Sequence, residues 1–290
     1  MQELLLSDGR RIEFEVTGPE NGDVLLHHHG TPGSLVQRRV LQRAAHTRGL
    51  RMVTYSRPGY GGSSRLPGRD VAAVTADCTA LLDHLGADRC VTTGWSGGGP
   101  HALALAAMRP DRVAGVSTFA GVMPYGIEGT DFLAGMGEGN VKEFGLVAQG
   151  EAAIRPYLEA RALTMRVPDP AGLLKTWASI LPATDKAVLS EEFGSEVAAG
   201  VAEAVRNGVS GWLDDDLAFA RPWGFALEDL AVPSFVWQGS ADLMVPFAHG
   251  QWLARNLPGA TAHLKEGEGH MSIVLAAADE IVEELAATLR

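Results

Sequence analysis

From the N-terminus to about residue 120, short apolar runs rich in β-formers alternate with longer stretches of helical period. Residues 4–6 and 12–16 flank Asp8-Gly9 and predict an antiparallel hairpin. Residues 24–29 predict a strand, 35–48 a helix and 51–55 a further strand. In 71–85 the apolar positions Val71, Val74, Cys78, Leu81, Leu82 and Leu85 recur at helical spacing. A strand at 90–93, a helix at 98–108 and a strand at 113–119 continue the rhythm. Repeated strand–helix units of this kind imply a mostly parallel sheet with helices on both faces.

The rhythm stops after Ala120. Residues 122–225 are rich in Ala, Glu and Met, and contain no β run. Prolines at 124, 156, 168, 170, 182 and 222 are expected to divide this segment into short helices. The alternation returns with a strand at 234–238, a helix at 247–256, a strand at 261–264 and a last helix at 273–289. These patterns predict one α/β core, built from residues 1–121 and 226–290. A helical cap, 122–225, is inserted between its sixth and seventh strands. A length of 290 residues suits a single core with a large insertion.

Gly94-Trp95-Ser96-Gly97-Gly98 matches G-x-S-x-G. Chance alone supplies about 0.2 such matches in a chain with this much glycine, so the surroundings decide its meaning. Here a strand precedes the motif and a helix follows it, which places Ser96 on a sharp strand-to-helix turn as a candidate nucleophile. A serine hydroxyl needs a base to remove its proton, and the base needs an orienting acid. In the order nucleophile, acid, base, the histidine must lie beyond the seventh strand. His249 falls at the start of a helix and His263 inside a strand, so both read as structural. His270 stands in the loop Gly267-Glu268-Gly269-His270 after the eighth strand. The acid is expected after the seventh strand, where Asp242 stands. Asp229 precedes that strand, Asp279 lies in the last helix, and Glu128 and Asp131 are the fallback acids after the sixth strand. Two backbone donors are needed for an oxyanion: Gly97 supplies one, and Thr31, in His29-Gly30-Thr31-Pro32-Gly33, the other.

These loops, together with Ser56-Arg57-Pro58-Gly59-Tyr60-Gly61-Gly62-Ser63 and Val245-Pro246, resemble the α/β-hydrolase superfamily. The nearest branch is the one holding proline iminopeptidases, small esterases and epoxide hydrolases. The resemblance covers both core segments and implies an α/β-hydrolase fold with a serine nucleophile. Epoxide and haloalkane members carry Asp at the nucleophile position, where this chain has Ser96.

Composition narrows the partners. The chain has 35 acidic against 24 basic side chains, a formal charge of −11. That disfavours nucleic acid and anionic membranes, and offers no positive field to an anionic substrate. Two cysteines, Cys78 and Cys90, exclude a disulfide framework and a zinc site of CxxC type. The N-terminus does not read as a signal peptide, and no uncharged run reaches transmembrane length, so a cytoplasmic protein is expected. A homo-oligomer remains compatible with the composition. His27-His28-His29 does not suit one metal ion, because adjacent strand residues face opposite ways. Asp214-Asp215-Asp216 reads as a solvated turn, with calcium or a substrate amine as the sharper options. Trp177, Trp212 and Trp223 line either the pocket or the cap interior. No phosphate loop is present, so neither cofactor nor metal is expected. The function expected is hydrolysis of a small apolar carboxylic ester or lactone. An iminopeptidase is the alternative, needing cap acids such as Glu138, Glu143 or Asp214–Asp216 to hold an amine. A non-catalytic binding protein of the same fold would not need all three of Ser96, Asp242 and His270.

Overall fold

A computed structural model describes residues 1–190 and 192–290. Its sheet is formed by β1 (Gln2–Leu5), β2 (Arg11–Thr17), β3 (Val24–His28), β4 (Arg51–Tyr55), β5 (Cys90–Trp95), β6 (Val113–Phe119), β7 (Ser234–Gly239) and β8 (Thr261–Lys265). Their order across the sheet is β1-β2-β4-β3-β5-β6-β7-β8. β2 runs antiparallel to β1 and β4, and every pair from β4 to β8 is parallel. β3, β5 and β6 are buried at every position, as expected of parallel strands covered on both faces.

Strand alternation sorts the core into two layers. Leu25, Met52 and Val91 face α1 (Arg39–Thr47) and α11 (Ser272–Ala287). Leu26, Val53 and Cys90 point the other way, toward α2 (Val74–His84), α3 (Gly98–Met108) and α10 (Phe247–Asn256). Between β6 and β7 come α4 (Glu138–Val147), α5 (Glu151–Leu163), α6 (Pro170–Thr176), α7 (Ala183–Leu189), α8 (Glu192–Ala204) and α9 (Ser210–Phe219). Among the described residues, no helix is long and apolar enough to cross a membrane.

Three expectations need correction. The helix expected at 35–48 begins only at Arg39. Leu35 gives its N–H to Ser56 Oγ and its carbonyl accepts from Thr54 Oγ1, while Gln37 Nε2 donates to Met52 O. Residues 35–38 are therefore tied to β4 as a loop. Pro156 does not divide the insertion but lies inside α5. Ile154 and Leu158 are fully buried on that helix. Their burial contributes roughly 1.5–3 kcal/mol each, enough to offset the ~3 kcal/mol that a mid-helix proline costs. Asp214–Asp216 are not a solvated turn: all three are buried in α9.

Candidate active site

The turn from β5 into α3 is as tight as the glycines imply. Ser96 has φ 57°, in the left-handed region that an L residue enters at a cost of about 1–3 kcal/mol. Its N–H donates to Phe119 O and its carbonyl accepts from Gly99 N. A Cβ on Gly94 would collide with the backbone of Gly98, and one on Gly98 with the carbonyl of His28. The turn holds Ser96 against a cavity of about 90 Å³ that His270, Thr31 and Gly97 also line.

Asp242 follows β7 and is buried. Its Oδ1 accepts from the N–H groups of Met244 and Val245, both at 2.8 Å. Its Oδ2 accepts from Gln238 Nε2 at 3.1 Å and pairs with His270 Nδ1 at 2.8 Å. With Nδ1–H given to Asp242, the other ring nitrogen of His270 is left as an acceptor. Ser96 Oγ and His270 Nε2 face the same cavity without a hydrogen bond between them.

The loop bearing His270 is held from the insertion. Asp185, on α7, accepts from the N–H groups of His270 (2.8 Å), Met271 (2.9 Å) and Ser272 (2.9 Å). These are orphan donors at the start of α11. Trp95 Nε1 donates to His270 O, and the two rings lie 5.6 Å apart. Burial by itself would lower the His270 pKa, but the carboxylates of Asp242 and Asp185 outweigh it and leave the pKa raised.

Thr31 Oγ1 donates to Asp215 Oδ2 at 2.7 Å, which fixes the loop beside Gly97. Among the described residues neither the Thr31 nor the Gly97 N–H has an acceptor. Asp215 also takes Arg57 Nη2 (2.6 Å), Arg69 and Tyr60 OH (2.8 Å). Burial would raise its pKa, yet the Arg57 and Arg69 guanidiniums hold it well below the usual carboxylate range.

Other candidates separate cleanly. Trp177 and Trp212 line the cavity, whereas Trp223 packs with the α2–α3 layer. Glu143 and Asp216 line it; Glu138 does not, and Asp214 pairs with Arg65. Glu128 and Asp131 are exposed on the loop after β6. His249 accepts from Met123 N and pairs with Phe132 O, and His263 stacks on Trp237 and pairs with Glu284. His28 bonds Thr92 and Tyr55, His29 bonds Gly30 O and Arg57 N, and His27 stacks on Phe119.

Sequence reasoning missed Asp185, Arg38, Arg161 and Asn140. The last three line the cavity, which is more polar than the apolar run of the insertion suggested. Their only signal was a polar side chain within helical text, which a solvated face produces equally well.

A family model described as alpha/beta hydrolase fold matches residues 23–277. Epoxide hydrolase A of Mycobacterium tuberculosis is 26% identical over 299 residues, covering 93% of this chain and 91% of its own. The pimeloyl-[acyl-carrier protein] methyl ester esterase of Aromatoleum aromaticum is 29% identical over 227 residues, covering 77% and 81%. Among solved structures, an alpha/beta hydrolase fold protein from Nakamurella multipartita matches with a TM-score of 0.65 at 25% identity, covering 99% and 98%. With the matched span reaching from the start of β3 into α11, the chain belongs to the alpha/beta hydrolase fold family.

Proposed function

We propose that the protein is a serine hydrolase that cleaves a small carboxylic ester or lactone through an acyl-enzyme. One observation carries the reading: Ser96, strained on its turn, shares a cavity with an imidazole already oriented by Asp242. His270 Nε2 takes the Ser96 proton as Oγ attacks the carbonyl carbon. The oxyanion is received by the N–H groups of Thr31 and Gly97. His270 then returns the proton to the leaving alkoxide, and water, deprotonated by the same nitrogen, releases the acid. In enzymes of this chemistry the hydrogen bond between nucleophile and base often tightens only when substrate is bound.

The substrate side is supported by the cavity walls. Val122, Met136, Phe144, Trp177, Ile180 and Val197 form an apolar surface around Ser96. An epoxide hydrolase reading, prompted by the relative, needs a carboxylate where Ser96 stands. An aminopeptidase reading needs an ionised acid for the substrate ammonium. Glu143 already accepts from Trp212 Nε1 at 2.9 Å and faces Arg161 at 4.0 Å. Asp216 is pushed well above the usual carboxylate range by burial and by the neighbouring Glu143, which disfavours the ionised form that an ammonium needs.

A fluorophosphonate probe is expected to label the protein at Ser96 alone. Ser96→Ala should fold normally and lose on the order of 10⁶ in turnover. On the same preparation, kcat/KM for the best short-chain p-nitrophenyl ester should exceed that for proline naphthylamide. Labelling elsewhere, or Ser96→Ala activity within tenfold of native, would overturn the serine assignment.

A further inference from the structure

Arg38 is buried in the wall of the cavity that holds the nucleophile, and among the described residues it forms no ion pair. The residue is 5% exposed and lines the same cavity as Ser96. Nη1 donates to two backbone carbonyls, Val36 O at 3.2 Å and Glu196 O at 2.9 Å. Nε is buried with no hydrogen-bond partner, and among the described residues Nη2 has no acceptor either. These two nitrogens share one edge of the guanidinium, the edge that grips a carboxylate through two parallel bonds. The nearby acids are engaged elsewhere: Glu192 and Glu196 pair with the adjacent Arg39.

The surroundings give that edge room and keep it cationic. A Cβ on Gly200 of α8 would press on the Arg38 nitrogens, so the bare backbone there leaves room for the guanidinium. Cζ lies 5.7 Å from the Trp95 ring, and that ring adjoins His270. The aromatic face offsets part of the desolvation cost but supplies no counter-charge. Burial lowers the Arg38 pKa only to about 10, so it stays charged at neutral pH. The other ionisable lining near it is Arg161, Glu143 and Asp216, and burial pushes both carboxyls up. Arg38 and Arg161 thus bring two guanidiniums to the cavity of a chain of net charge −11.

We infer that Arg38 anchors a carboxylate of the substrate, so that the ester or lactone cleaved at Ser96 carries a second, anionic group. A purely structural arginine would account for the Nη1 bonds and leave the opposite edge without purpose. This inference rests on the proposed function only for the bond that is cleaved; recognition of the carboxylate is separable from it.

Binding to the Ser96→Ala variant tests it without turnover. Monoethyl and diethyl esters of succinic, glutaric and adipic acid are titrated calorimetrically at pH 7.5. The best half-ester is expected to bind at least tenfold tighter than its diester. Arg38→Gln should bring that ratio within twofold of one, and Arg38→Lys, which keeps the charge without the fork, should lower it at least threefold. Diesters binding as tightly as half-esters in all three series overturn the inference, as does a preference that survives Arg38→Gln. Should the Gln variant not fold, an unchanged ratio in Arg38→Lys overturns it. If the Arg38-dependent preference holds while the native protein neither turns over nor labels at Ser96, the proposed chemistry fails and the anchor stands.

Discussion

His270 sits between two carboxylates of different origin, Asp242 from the loop after β7 and Asp185 from α7. Only Asp242 touches the ring, so it alone can select the tautomer. Asp242→Asn should keep the fold and lower turnover about 10⁴-fold, because the amide favours the wrong tautomer. A nearly silent Asp242→Asn would mean that another acid orients the ring. His270 must be neutral to act as a base, and its pKa is raised despite burial. Activity should therefore fall on acidification with a midpoint above the ordinary histidine value of about 6.5, read from kcat/KM against pH. A midpoint below that value would contradict the geometry. Ser96, Asp242 and His270 were legible in the sequence because each stands in a short local motif beside a strand end. Asp185 and Arg38 were not, since their partners lie 85 and 158 residues away along the chain.

Elements were legible where the side-chain period matches a helix or a strand of the sheet. All eight strands stand close to where the periodicity put them, including the insertion point between β6 and β7. The errors fall where a distant partner takes over. α1 starts late because β4 claims residues 35–37, and α9 carries three aspartates inward because Arg65, Arg57, Arg69 and Glu143 await them. α7 offers a test at this scale. Asp185→Asn leaves three N–H groups facing an amide in place of a carboxylate, costing about 1–3 kcal/mol by urea unfolding. The same change removes one of the charges that raise His270, so the acid midpoint of kcat/KM should move down. Lost stability with an unmoved midpoint would make Asp185 a helix cap only.

Across the whole molecule, histidines govern the response to acid. His27 and His101 are lowered to about 3, first by burial and then by nearby arginines. His28 and His29 are lowered well below the ordinary value by burial and neighbouring cations, and His249 by burial. Each is depressed in the folded state, so the unfolded chain binds its proton first. Their stabilisation is present above about pH 6.5 and fades as pH falls below it. For His27 and His101 the loss between pH 7 and pH 5.5 is about 1 kcal/mol each. His270, Asp185, Glu143 and Asp216, raised in the fold, work in the opposite sense. Replacing His27 or His101 with Gln should therefore lessen the fall in urea-unfolding stability between pH 7 and pH 5.5 by about 1 kcal/mol each; an unchanged difference would refute the buried neutral histidine. The two aspartates that reach from the insertion also bear on how such enzymes exchange parts. Asp185 holds the loop of His270 and Asp215 the loop of Thr31, so this insertion is no interchangeable module laid over a finished core. A chimaera that keeps residues 1–121 and 226–290 but borrows another relative's helices would inherit a new pocket together with two unfastened loops. Only donors carrying an acid at both places could be grafted without loosening the machinery beneath.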